Sequence, residues 1–428
     1  MSGTDLQHHK VRRKPLERLG RALSRPGSSL RRLRSMRQHQ EQNRRKWTRA
    51  GALATASLLV FSLALWPWVR THLQAVAILK ILGGQPVPGP IAATVAAPIA
   101  ITDISFSIPA NDGKQQVVRA REYLPVGKKD APALVVLHGV HHLGIDEPRL
   151  EAFAKAISNC GVRVLTPELP DIKDYHVDAS SVRTIGESAK WFATQTGTQV
   201  GVVGLSFSGG LALVAASEPA YKTAFKFVLA VGSQDSMARV TEYYRTGRDL
   251  RPNGSVEELK PHEYGPLVLE YQYVEDFVAA ADVPAIKTVL RAHLYEDKAA
   301  EISTMAALTA AQKVEAKNLM DTELDGTQEM LVNSDLRHTK ELEDLSPHGK
   351  LAGLTVPVYL LHGEADNIIP SAETLWLAKE LPPAALKAAL VSPVISHIDF
   401  ESSQPTAEDQ WRLIDFFAKV MRAAEQKR

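Results

Sequence analysis

A chain of 428 residues, 45% hydrophobic and 23% charged, carries ample material for a buried core and reads as globular over most of its length. One cysteine, Cys160, excludes an intramolecular disulfide framework. The net charge of +2 conceals an asymmetry: residues 1–49 hold fifteen Lys/Arg against Asp5, Glu17 and Glu41, a local +12, so the remainder sums to −10.

The basic arm, with RRK at 12–14, RRLR at 31–34 and RRK at 44–46, has no sustained apolar period and reads as mostly disordered. AGALATASLLVFSLALWPWV (50–69) follows without a charge. At 1.5 Å per residue, a helix of that length covers a bilayer core of about 30 Å. Trp66 and Trp68 stand where interfacial aromatics belong, and Arg70 closes the segment. A transmembrane helix is expected, against the alternatives of a cleaved signal peptide or a buried core helix. The Lys/Arg bias places the arm in the cytoplasm and residues 70–428 across the membrane. The bilayer accounts for the arm's charge, so no nucleic-acid partner is expected. Residues 70–100, with GGQPVPGPIAATVAAPIA, read as a stalk or linker.

From residue 101 the texture changes. ITDISFSI and QQVVRAREYL alternate as half-buried strands around a turn at 111–113. Strands are then expected at 133–139, 162–167, 199–204, 226–232, 356–363 and 387–392. Helices are expected at about 147–158, 180–195, 207–217, 371–380 and 406–423. Continuous apolar strands alternating with helices predict a mostly parallel, doubly wound α/β sheet covered on both faces. Such sheets carry their sites at the carboxyl ends of the strands. Cys160 falls at a helix end, where an inert thiol is expected. One interval, 236–350, breaks the alternation with helical texture and predicts an inserted cap.

GVVGLSFSGG (201–210) places a hydroxyl at the join of a buried strand and a helix. A serine there must take a strained backbone conformation to project above the sheet. Gly204 and Ser208 are small where larger side chains would collide, and Gly209 and Gly210 let the helix pack close. The helix N-terminus favours a developing negative charge nearby.

The strand, tight turn and helix around Gly204, Ser206 and Ser208 resemble the nucleophile elbow of the α/β-hydrolase family, with serine in place of its last glycine. The resemblance covers roughly residues 100–425, leaving the cap unmatched. It implies Ser206 as nucleophile and a fold of α/β-hydrolase type. ALVVLHGVHH (133–142) is similar to the family's oxyanion turn, which implies Val140 and Phe207 as N–H donors and a structural His138. His141 and His142 lack a carboxylate or cysteine at ligand spacing, and neither a metal nor a cofactor is implied. VYLLHGEADNIIP (358–370) is similar to the acid-bearing segment, implying Asp366, with Asp235 in LAVGSQDS as the alternative acid and His362 as structural. KAALVSPVISHIDFES (387–402) supplies His397 as the base. The chemistry implied is acyl transfer to Ser206 and hydrolysis of carboxylic esters or thioesters, lipid-derived ones among them. An acyltransferase on the same triad and a non-catalytic binding module are the competing readings. The oligomeric state is not legible.

Overall fold

The computed structural model describes residues 27–110, 113–128, 130–322, 324–395 and 405–426. The chain divides into two units, Met1–Trp66 and Pro67–Arg428. In the first, helix α1 (Gly27–Leu82) begins within the basic arm, so residues 27–49 are helical where disorder was expected. Lys and Arg are good helix formers, and the segment contains no proline. Leu53, Leu58, Phe61 and Leu63 are all exposed, and α1 is long and apolar enough to cross a membrane by length and composition.

In the second unit the last turns of α1 are not the expected stalk. Thr71, Gln74, Ala75 and Ile78, spaced three and four apart, are buried together with His72 and Ala77. They share a core with Phe416, Phe417, Val420 and Met421 of the C-terminal helix. Arg70 pairs with Glu425, and Gln74 Nε2 donates to Glu425 (2.8 Å) and to the Cys160 carbonyl (2.9 Å). Burial pushes the Cys160 thiol up to about 12, leaving it protonated and inert. A short α2 (Gly89–Val95) leads into the sheet.

The strands are β1 (Ile99–Pro109), β2 (Gln115–Pro125), β3 (Ala133–Leu137), β4 (Arg163–Pro167), β5 (Val200–Leu205) and β6 (Phe225–Val231). Between them lie α3 (Pro148–Asn159), α4 (Pro170–Lys173), α5 (Ser180–Thr196) and α6 (Phe207–Ser217). The insertion after β6 holds α7 (Met237–Thr246), a hairpin of β7 (Arg248–Leu250) and β8 (Val256–Glu258), and α8 (Tyr264–Gln272). It continues with α9 (Val283–Leu294), α10 (Lys298–Ala307), α11 (Ala310–Met320), α12 (Asp325–Arg337) and α13 (Thr339–Leu345). The chain closes with β9 (Val358–Gly363), α14 (Ala372–Glu380), β10 (Leu386–Ser392) and α15 (Ala407–Glu425).

The eight-stranded sheet runs β1-β2-β4-β3-β5-β6-β9-β10. β1 and β2 are antiparallel to their neighbours, and the six strands from β4 to β10 are parallel. Successive side chains point to opposite faces, so β3 feeds two cores. Val135 and Leu137 join the layer containing α5 and α6, while Leu134 and Val136 join the layer of α1, α3 and α15. Burial on both faces explains why these strands read as unbroken apolar runs rather than as alternation. The strand order reverses between β3 and β5, which pair Leu137 with Gly204 at their carboxyl ends. In such sheets that is where ligands bind.

Candidate active site

Ser206 sits at the reversal point, on the one-residue turn between β5 and α6. Its φ of 56° and ψ of −137° are rare for a residue with a Cβ and cost about 1–3 kcal/mol. Neighbouring groups over-determine the turn. Ser206 N donates to Val231 O (2.8 Å), while its carbonyl accepts from Ser233 Oγ (2.8 Å) and Gly209 N (3.0 Å). Gly204 and Gly209 press directly on each other: a Cβ on Gly204 would come 2.4 Å from Gly209 Cα. The strand-to-helix crossing therefore tolerates no side chain at either position.

Ser208, two residues after Ser206, has a specific partner. Ser208 Oγ, buried, donates to the His138 carbonyl at 2.6 Å, joining the elbow to the turn after β3. That turn lies against the nucleophile candidate, since a Cβ on Gly139 would lie 3.3 Å from Ser206 Cβ. His138 fixes its shape. Leu169 N donates to His138 Nε2 (2.9 Å), so Nδ1 carries the proton and donates to Gly139 O (2.8 Å). Burial drives the imidazole down to about 4, which keeps it neutral and in this tautomer. With the Gly139 carbonyl turned toward His138, the trans peptide aims the Val140 N–H the opposite way. Tyr264 of α8 donates to the Val140 carbonyl (2.7 Å), so both peptides flanking Val140 are anchored. Phe207 opens α6, where the first N–H groups have no partner within the helix.

Asp366 follows β9 and is fully buried. Its Oδ1 accepts from Ile368 N (2.9 Å) and Ile369 N (3.0 Å), and His362 Nε2 lies 3.3 Å from Oδ2. His362 also meets the Ile369 carbonyl (2.9 Å) and Thr374 Oγ1 (2.7 Å), and so ties the acid loop to α14. Asp235 is held differently. It pairs with Arg239, whose Nε donates to Glu373 Oε1 at 2.8 Å, and Glu373 Oε2 accepts from the backbone of Asp235 and Ser236, each at 2.7 Å. Burial, reinforced by the Glu373 charge, pushes the Asp235 carboxyl up to about 7. Ligand-capable atoms of Asp235, His348 and Glu380 lie within 4.8 Å of one another, beside the Arg239 guanidinium. His397 lies outside the described residues.

His141 and His142 stack at 4.6 Å, and His142 stacks on Tyr295 at 4.5 Å. Burial lowers the pKa of both imidazoles. With Tyr264 and with Tyr175, whose hydroxyl donates to Leu294 O (2.8 Å), they form an aromatic seam between the insertion and the β3 turn. Tyr243 Oη and His262 N both donate to the Asn367 carbonyl, next to Asp366. Tyr264 and Ser233 thus touch the elbow's surroundings without any local sequence signal.

No family model matches the chain, and no curated protein does. Among solved structures, an esterase from Pyrobaculum calidifontis is similar at 18% identity, over 83% of this chain and 93% of its own, with a TM-score of 0.41. Brefeldin A esterase, a bacterial homologue of human hormone sensitive lipase, is similar at 15% identity over 82% of both chains, with a TM-score of 0.42. An acylaminoacyl peptidase is similar at 12% identity over 80% of this chain and 44% of its own, with a TM-score of 0.43.

Proposed function

We propose that the chain is a serine hydrolase of α/β-hydrolase type, anchored in a membrane by residues 50–69, that cleaves carboxylic esters or thioesters. The reading rests on one observation above all: a buried serine held at positive φ between strand and helix, with the glycine of a neighbouring strand's turn packed on its Cβ. Strain of this kind persists where a hydroxyl must be presented in one geometry.

In the proposed cycle His397 takes the Ser206 proton as Oγ attacks the acyl carbonyl. The oxyanion accepts hydrogen bonds from the Val140 and Phe207 N–H groups, and His397 returns the proton to the leaving alcohol. His397 then takes a proton from water as it attacks the acyl-enzyme, and returns it to Ser206 Oγ as the acid leaves. Asp366 accepts a hydrogen bond from His397 Nδ1–H, stays ionised and stabilises the imidazolium. Asp235 suits that role less, because its carboxyl group is already held by Arg239. The helical insertion forms a cap over the site. The basic arm lies in the cytoplasm and the hydrolase unit on the other side.

A fluorophosphonate probe and nitrophenyl esters test the assignment on the full-length protein. The wild type is expected to be labelled and to turn over ester, and Ser206→Ala to do neither while melting cooperatively. Undiminished labelling of Ser206→Ala would remove the nucleophile assignment.

A further inference from the structure

An apolar cavity of about 360 Å³ lies in the layer of α1, α3 and α15, inside the second unit. Leu79 and Leu82, from the last turns of α1, line it together with Phe153 of α3 and Phe417 of α15. Leu205 and Val231, the carboxyl-terminal residues of β5 and β6, also line it. Both bear on the elbow. Leu205 precedes Ser206 by one residue, about 3.8 Å along the chain, and the Val231 carbonyl accepts the Ser206 N–H.

We propose that this cavity holds the linear acyl chain of the substrate, and that the α1 tail sets the chain length accepted. The inference rests on the hydrolase reading of Ser206. Three features select a hydrocarbon chain. Among the described residues, the lining side chains other than Glu147 and Arg149 are apolar. Those two charges pair with each other at 2.7 Å, and Glu147 also caps α3 by accepting from Leu150 N. A polar occupant would lose its hydration against such walls without recovering hydrogen bonds. The acyl group is the part of an ester that stays bonded to serine in the acyl-enzyme, and the cavity is lined by Leu205, the residue before Ser206, so we assign it to the acyl group rather than to the departing alcohol. At about 30 Å³ per water-sized group, the space takes a chain of roughly eight to twelve carbons. Each methylene buried there is worth about fourfold in kcat/KM.

The test compares nitrophenyl esters from acetate to hexadecanoate on the full-length protein in detergent micelles. The wild type is expected to climb about fourfold per methylene, or roughly sixteenfold per two carbons, to about C10 and then level off. Leu79→Trp and Ala152→Leu each narrow the cavity from a different helix. Both are expected to lower kcat/KM for the decanoate about tenfold and to leave the acetate within about twofold. An unchanged profile in both variants, or equal losses on acetate and decanoate, overturns the proposal. So does a length dependence that follows the alcohol of alkyl acetates instead. In parallel, Ser206→Ala is irradiated with a decanoyl ester carrying a terminal diazirine. Crosslinks to Phe153, Phe417 or the α1 tail, weakened in Leu79→Trp, support the cavity whether or not the wild type hydrolyses ester; hydrolysis absent with crosslinks present sinks only the catalytic reading. Crosslinks confined to the helical insertion overturn the cavity assignment.

Discussion

Ser206 and its neighbours show a division of labour among the polar residues that surround one strained turn. Ser208, His138 and Ser233 use their hydrogen bonds to hold backbone in place, whereas Asp366 presents a buried carboxylate oriented by two backbone N–H groups. On the proposed mechanism, replacing Asp366 by Asn keeps the shape but removes the charge that would favour one tautomer of His397. The expected loss in kcat is several orders of magnitude, on the scale of about 10⁴ seen when such an acid is amidated. Asp235→Asn should cost far less turnover, and a steady-state comparison of the two variants decides between them; the reverse order would make Asp235 the acid. Asp235 should instead be visible in stability. Its folded pKa of about 7 stands above an unfolded value of about 3.9, so between those values the native state holds a proton that the unfolded state has lost. That contribution is complete at low pH and is lost as pH rises through about 7. The melting temperature of Asp235→Asn relative to wild type should therefore rise steadily from pH 4.5 to pH 8. A pH-independent difference would mean that Arg239 keeps the carboxylate ionised throughout.

At the scale of elements, the parallel strands were legible because each is buried on both faces and reads as an apolar run bounded by turns or helices. The expected strand at 226–232 and the observed Phe225–Val231 differ by one residue at each end. The elbow was legible because close backbone crossing demands glycine at 204 and 209 whatever surrounds them. The last turns of α1 were misread as a stalk. LQAVAILKIL is too short to span a bilayer, and its partner, α15, lies more than three hundred residues away, where no local pattern can point. Tyr264 anchors Val140 across 124 residues and was illegible for the same reason. The α1 correction has a measurable consequence. Ala75, Ala77 and Ile78 are buried in a core shared with α3 and α15, so Ile78→Ala should cost about 2–5 kcal/mol by denaturant unfolding. A fragment starting at Pro67 should fold with the stability of the full chain, whereas one starting at Gly84 should be markedly less stable or insoluble. Equal stability of the two fragments would restore the stalk reading.

At the scale of the whole molecule, the charge and hydropathy patterns divide the chain into parts suited to different solvents. Fifteen basic residues precede an uncharged twenty-residue stretch, and the rest carries an excess of ten negative charges. Lys and Arg within about 15–20 residues of a span resist translocation, and acidic residues contribute little to orientation, so the arm should remain cytoplasmic. Leu53, Leu58 and Phe61 project from the helix with most of their surface exposed, an arrangement that hydrocarbon stabilises and water does not. Carbonate washing should leave the full-length protein in the membrane pellet. Protease added to the side opposite the cytoplasm should digest the second unit, Pro67–Arg428, and spare a tag on the N-terminus. Replacing the four arginines at 31, 32, 34 and 37 together with Arg44, Arg45, Lys46 and Arg49 by glutamine should weaken this orientation, since it removes eight of the fifteen charges, those nearest the span. Protection of the second unit in the wild-type protease experiment would invert the topology and place that unit in the cytoplasm, while release of the protein by carbonate would show that the apolar stretch does not span at all.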